Sequence, residues 1–339
     1  MQQHLVAMGI SSCLGQGLWE HHRKIAARDH RFRRQRTFLG SDFKPQLTVS
    51  PGDIGEQSAL SRFMELGAEA IADLIAFPML PLPGPRLHIA IALPVSCPQQ
   101  GLRPSDLQEL GDRLSEAILG HLAGDLAALR LYAKGAAGFA WALRDFAAAA
   151  VPEDALIILS GDSYRCRVRM NALLAQGRLF NRKHRYGQIP GEAAVAALFT
   201  PRAPEKAIAR ITGAAIEVET LREGETGATD FSAMSKACLS VLPADQLPSC
   251  WLTDWNNSRY GAAELSYAQL RLAGRFERDF ETLHLPLVFG STGAAGLGVA
   301  LAASLSRPGC SLLTGSVELS AERAALASVS CGSGKPHPR

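Results

Sequence analysis

Arg130–Asp162, RLYAKGAAGFAWALRDFAAAAVPEDALIILSGD, decides how the chain is read. An apolar run around Leu129 and Leu131 stops at a small-residue turn, Lys134-Gly135-Ala136. Ala137–Ala150 then has the length and composition of a helix, and Ala155–Ser160 those of a buried strand. Strand, tight turn, helix, strand is a right-handed parallel crossover. The helix in such a unit aims its free N–H groups and positive dipole end at whatever the turn carries. That place suits a thiolate nucleophile. Here the turn offers Lys134, Gly135 and Ala136, with neither Cys nor Ser. The scaffold is that of an enzyme; the nucleophile is absent.

A chain of 339 residues, 47% hydrophobic and 20% charged, is ordinary for a soluble α/β protein with a sizeable core. A net charge of only +3 gives no case for nucleic acid. The seven cysteines form no CxxC pair and no metal-ligand spacing with His, so neither a metal nor a disulfide framework is expected. No apolar stretch is long enough to span a bilayer, and the N-terminus lacks the basic start of a signal peptide. These features imply a cytoplasmic globular protein with no membrane partner and no cofactor.

Outward from the central unit, His4–Ile10 reads as a first strand, followed by a helix carrying Leu18, Trp19 and Ile25. Arg28–Arg36 is a basic cluster, which is either a solvated surface or, through Arg31, Arg33 and Arg34, a dock for an acidic partner. Lys44–Gly55 reads as a loop, Gln57–Ala76 as a helix, Pro78–Pro85 as punctuation and Leu87–Leu93 as a strand. Pro104–Leu122 is helical, and Arg182, Lys183 and Arg185 form a second basic segment before the strand Ala193–Phe199. The pattern then starts over. Ala207–Val218 reads as a strand, Phe231–Leu242 as a helix, Cys250–Thr253 as a strand, Tyr260–Leu272 as a helix and Pro286–Phe289 as a strand. A Gly/Ala-rich turn, Gly290–Gly298, enters the helix Leu297–Leu305, and Leu312–Val317 reads as the last strand. Two α/β halves of similar order, residues 1–200 and 201–327, imply an internal duplication, with 328–339 a flexible tail.

Five stretches in this order resemble the β-ketoacyl synthases, condensing enzymes of the thiolase fold. Val6–Gly15 is similar to the family's opening strand and turn, and Ala133–Ala142 with Ala155–Asp162 to its nucleophile elbow. Gly177–Phe199, containing Gln188-Ile-Pro-Gly-Glu-Ala193, resembles "RPFD…GFVPGEGAAAL". Thr253–Glu264 falls where the family has "HGTGT…D…E", and Gly290–Gly296 resembles "GHTLGAAG". The resemblance implies five alternating layers, αβαβα, built from two duplicated halves, and a homodimer whose contact lies near the central crossover.

Condensation needs a Cys thiolate to take the acyl group, and two His, or His and Asn, to promote decarboxylation. Matching the elbow on Gly138 puts Gly135 at the Cys. Matching on Glu264 puts Thr253, or with one gap Asp254, at the first His. Ser291 falls at the second His, and Pro286 replaces the Lys that commonly precedes that loop. Fold-shaping glycines are kept and reaction positions are not, as expected of a non-condensing member.

Other readings are weaker. Gly161-Asp162-Ser163 resembles a hydrolase nucleophile but has no Asp-x-x-His partner. Cys97 is the best thiol for a relocated nucleophile, Cys166 would be acidified by Arg165 and Arg167 if exposed, and His184 reads as a surface residue. Gly290–Gly298 lacks the spacing of a phosphate loop. Asp254–Tyr260 is the most chemically dense loop. Either Arg259 pairs with Asp254 or Glu264 while the amides cap the next helix, or Lys134, Gly135, Asp254, Asn256, Arg259, Ser291 and Thr292 line a pocket.

The expected function is therefore an inactive synthase-like homodimer serving as scaffold or adaptor, accessory to a bacterial secretion or biosynthetic cluster. Its acidic partner would be an acyl carrier protein or a secreted or accessory protein. The alternative is a condensing enzyme with a rearranged site, or the silent partner of an active synthase.

Overall fold

The computed structural model describes residues 2–331 except 28, 30, 50–51, 78–85, 122–124, 205–206, 244–245 and 318. Arg28 of the first basic cluster, the Pro78–Pro85 punctuation and 332–339 of the expected tail lie outside the described residues.

The first half runs β1 (Gln3–Ser12), β2 (Gly15–Gln16), α1 (Leu18–Ala26), β3 (Phe32–Leu39), β4 (Pro45–Val49), α2 (Ala59–Ile75) and β5 (Arg86–Ala92). It continues with α3 (Pro104–Leu119), β6 (Asp125–Tyr132), α4 (Ala137–Ala149), β7 (Asp154–Ser163), α5 (Arg167–Ala175) and β8 (Glu192–Thr200). The second half begins with β9 (Ala209–Val218), α6 (Ala233–Val241), β10 (Cys250–Thr253), α7 (Arg259–Arg271) and β11 (Glu281–His284). It ends with α8 (Pro286–Phe289), α9 (Gly296–Ser304), β12 (Cys310–Ser316) and β13 (Glu322–Ser330).

The sheet order repeats from one half to the other. The first half is ordered β6-β5-β7-β8-β1 and the second β11-β10-β12-β13-β9. In both, the first two ladders are parallel and the last two antiparallel. The halves therefore share one topology, and they join edge to edge where Gln3–Leu5 of β1 pairs with Ala209–Ile211 of β9.

The layers follow from which faces are apolar. Helix α4 packs on β5, β6 and β7 of its own half and on β9 and β13 of the other. Helix α9 likewise touches β10 and β12 as well as β1 and β8. Both are held between the two halves of the one large sheet, and α9 is buried along its whole length. Helices α2 and α3 cover the outer face of the first half, and α6 and α7 that of the second. The result is the five-layer αβαβα arrangement. Strands β7 and β8 are buried throughout, which is why they read as unbroken apolar runs. Phe139 of α4 meets Phe199 of β8 edge-on at 6.1 Å in the central core. Truncating either to Ala costs about 3–5 kcal/mol.

One polar clamp ties the halves. Asp162, at the end of β7, is paired with the buried Arg169 and accepts from Ala294 N at 3.3 Å. A Cβ on Gly293 would fall 1.9 Å from Asp162 Oδ2, so only glycine fits beside this carboxylate. Ser163 Oγ donates to Glu192 Oε2 at 3.0 Å, and Glu192 is enclosed between Arg62 and Arg165. Gly161-Asp162-Ser163 is thus structural.

Several sequence expectations need correction. Part of the expected loop Lys44–Gly55 is strand β4, which pairs with β3 as a separate two-stranded sheet. Pro286–Phe289 is a helical turn, and the strand lies just before it at Glu281–His284. Proline cannot donate to a ladder but suits the first turn of a helix. Cys310–Ser316 is not the last strand: β13 follows and takes in Ser328–Ser330, the start of the expected tail. Among the described residues no helix is long and apolar enough to cross a membrane.

Candidate functional site

Gly135 sits where β6 turns into α4, with its N–H donated to Leu93 O at 3.0 Å and φ at +55°. Its surroundings are apolar: an added Cβ would meet Val317 Cγ1 at 3.1 Å and Val95 Cγ2 at 3.4 Å. Beside it, Lys134 is spent on Glu322 (Nζ to Oε1, 3.3 Å) and lies over the Trp141 ring.

A cleft of about 40 Å³ opens next to this turn, between the ends of β10 and β12 and the 290–296 loop. Of the seven residues expected to form a pocket, Asp254, Asn256, Ser291 and Thr292 line it together. Lys134, Gly135 and Arg259 do not. Arg259 pairs with neither Asp254 nor Glu264; its guanidinium stacks on Tyr186 at 4.0 Å. The cap of α7 is Ser258, whose Oγ accepts from Gly261 N at 3.0 Å, rather than an amide. Asn257 instead anchors the neighbouring loop, donating to Arg185 O at 2.7 Å and Gly187 O at 3.2 Å.

Three polar lining residues were not anticipated, Tyr164, Gln188 and Ser316. Gln188 left one signal, standing where the resembling segment has an apolar Phe. Tyr164 and Ser316 left none, because only the fold brings the end of β7 and the end of β12 to one cleft.

Asp254 Oδ2 accepts from Ser316 N at 2.7 Å, while Thr253 Oγ1 pairs instead with His284 Nδ1 at 2.8 Å. Of the two candidates for the first His position, Asp254 faces the cleft. Desolvation and the Glu264 charge push its carboxyl up to about 7, against the Ser316 hydrogen bond and the Arg323 charge. Behind it, Glu264 Oε1 accepts from Arg323 Nε at 2.5 Å, both side chains being buried.

The thiols stand elsewhere. Burial pushes Cys13 up to about 12 and Cys250 and Cys310 to about 11, and raises Cys238 and Cys166 as well. Cys166 is buried, so the exposure on which its acidification by Arg165 and Arg167 depended is not met, and its Sγ caps α5 by accepting from Arg169 N at 3.4 Å. Cys97 is partly exposed and contacts Gln99. Among the described residues no cysteine sulfur is hydrogen-bonded to a histidine ring, and no group of three or more His, Cys, Asp or Glu could hold a metal. The Ala294 N–H that an anion would seek already faces Asp162. His184, half-buried, packs on Gly177.

The second basic segment meets the β3–β4 hairpin at its turn. Asp42 Oδ2 accepts from Arg182 N at 3.3 Å, Gln46 donates to Phe180 O at 2.9 Å, and Lys183 Nζ lies 5.9 Å from the Phe43 ring. Phe43 is 80% exposed beside Lys183, and Arg34, Arg36, Lys44, Arg182 and Arg185 are exposed on the hairpin and on the segment that meets it. Arg31 and Arg33, at the far end of the hairpin, are partly neutralised by Asp29 and Asp53.

No family model and no curated protein matches the sequence. Solved structures do. The ketosynthase from module 6 of the bacillaene synthase of Bacillus subtilis 168 superposes with a TM-score of 0.74 at 11% identity, over 98% of this chain and 72% of that one. The ishigamide ketosynthase/chain length factor gives 0.70 at 15% identity, over 98% and 100%. A type II polyketide synthase ketosynthase in complex with its acyl-carrier protein gives 0.71 at 12%, over 97% and 99%. The layered halves and these superpositions agree: this chain has the ketosynthase-like thiolase fold.

Proposed function

We propose that this protein is a ketosynthase-like scaffold or adaptor that does not condense acyl groups. The observation that carries the reading is the turn at Gly135. It has no side chain to acylate, its space is closed by Val317 and Val95, and the adjacent cleft holds no thiol. At about 40 Å³, that cleft takes a few water-sized groups rather than an acyl chain.

Two surfaces support the scaffold role. Strand β6 is a sheet edge with Leu126 46% and Leu129 38% exposed. An uncovered apolar edge is a template for pairing, and a second copy placed antiparallel would cover it. The basic patch around Phe43 suits an acidic partner of the acyl-carrier type, and one structural neighbour is a ketosynthase solved with such a protein.

A second reading has one observation in its favour: the neighbours include a ketosynthase/chain length factor. The chain would then be the silent half of a heterodimer whose partner supplies the Cys. Purified protein given acyl and malonyl thioesters tests the first reading, which expects no carbon–carbon bond formation. Turnover by the chain alone overturns it, and turnover only after an active synthase is added favours the second.

A further inference from the structure

Two buried side chains on the cleft wall each carry a polar atom without a partner: Ser291 Oγ and Gln188 Nε2. Their residues are only 6% and 3% exposed, and groups so buried are normally satisfied. They are also held in place. Ser291 N donates to Ile189 O at 2.8 Å and Gly191 N to Ser291 O at 3.1 Å, so the two loops that carry them run side by side. Asn256 Nδ2 donates to Gln188 Oε1 at 3.4 Å, which fixes the amide with its Nε2 as the spare donor. Asp254 shares the wall. Its Oδ2 takes the Ser316 N–H, and the carboxylate keeps lone pairs for another donor.

The wall therefore presents two donors, Gln188 Nε2 and Ser291 Oγ–H, beside one acceptor, Asp254. We propose that the cleft binds a primary carboxamide. Its carbonyl oxygen would accept from Gln188 and Ser291, and its NH₂ would donate to Asp254. Above about pH 7, where Asp254 is ionised, a carboxylate would bring like charge against it, and a simple ammonium would leave Gln188 Nε2 unpaired. The size agrees, since about 40 Å³ takes the head of an amide. The ligand is a small free amide, or a larger molecule that inserts its amide end. This inference is independent of whether the protein condenses acyl groups.

Titrating the ¹⁵N-labelled full chain at about pH 8 with acetamide, and separately with acetate and methylammonium, tests it through the side-chain amide signals of Gln188 and Asn256. Acetamide should give a saturable shift that the other two do not. Ser291→Ala should weaken it roughly tenfold, the worth of one hydrogen bond. Gln188→Glu, which replaces the donor, should abolish it and also assigns the signal. If Gln188→Glu does not fold, Ser291→Ala, which leaves the backbone bridge intact, carries the test. No saturable shift, an equal response to acetate, or unchanged affinity in Ser291→Ala overturns the proposal and leaves the cleft a water site.

Discussion

Val317 Cγ1, from the second half, lies 3.1 Å from the point where a side chain on Gly135, from the first half, would begin. The position that would carry a nucleophile is closed across the boundary between the halves. Placing a thiol there should therefore harm the fold. Gly135→Cys forces a non-glycine residue into φ +55°, which costs about 1–3 kcal/mol before any clash with Val317. Denaturant unfolding should show that loss, with partial recovery in Gly135→Cys/Val317→Ala. A Gly135→Cys variant as stable as the parent would mean the turn still accommodates a nucleophile.

Asp254 gives the molecule a pH dependence of definite sign. Its carboxyl stands at about 7 in the fold against an ordinary 3.8, so between these values the folded chain binds more protons than the unfolded one. Stability from this group is full below pH about 4, falls as pH rises towards 7, and levels off above it. Asp254→Asn should remove that decline, gaining stability relative to the parent at pH 8 but not at pH 4. Parallel unfolding curves for parent and variant across this range would contradict the raised Asp254 carboxyl.

The basic patch makes a salt-dependent prediction. Arg182→Glu/Lys183→Glu should weaken binding of an acidic acyl carrier protein and flatten its dependence on ionic strength, because exposed charges are screened within about 8 Å at physiological salt. Calorimetry at two salt concentrations measures this. Unchanged affinity would remove the patch as the docking surface.

Leu126→Lys/Leu129→Lys places charge on the open edge of β6. Sedimentation should find the parent as a dimer and the variant as a folded monomer. A variant that still dimerises would place the contact elsewhere.

Much of the fold was legible because its central elements carry long apolar runs. Strand β7 and helix α4 have runs that admit few other readings, and their small-residue turn sets the crossover. The β3–β4 hairpin was hidden for a physical reason. Its inward residues, Gln35 and Phe38, are three apart because the pairing shifts between Gln35 and Leu39, so the period of two is broken. Strand β13 was hidden by its many alanines, which carry little strand signal. At the site, Asp254, Asn256, Ser291 and Thr292 were legible through motif position. Arg259 and Lys134 were misplaced because long cations take whatever ring or carboxylate the fold offers, here Tyr186 and Glu322.

The most direct measurement is intact-protein mass spectrometry after incubation with a reactive acyl thioester. An unshifted mass is expected for the Cys331→Ser variant, which lacks the exposed thiol, since Gly135 cannot be acylated, the buried thiols are held protonated and Cys97, partly exposed, contacts Gln99 rather than a histidine. A stoichiometric acyl adduct mapping to any cysteine would contradict the non-condensing assignment.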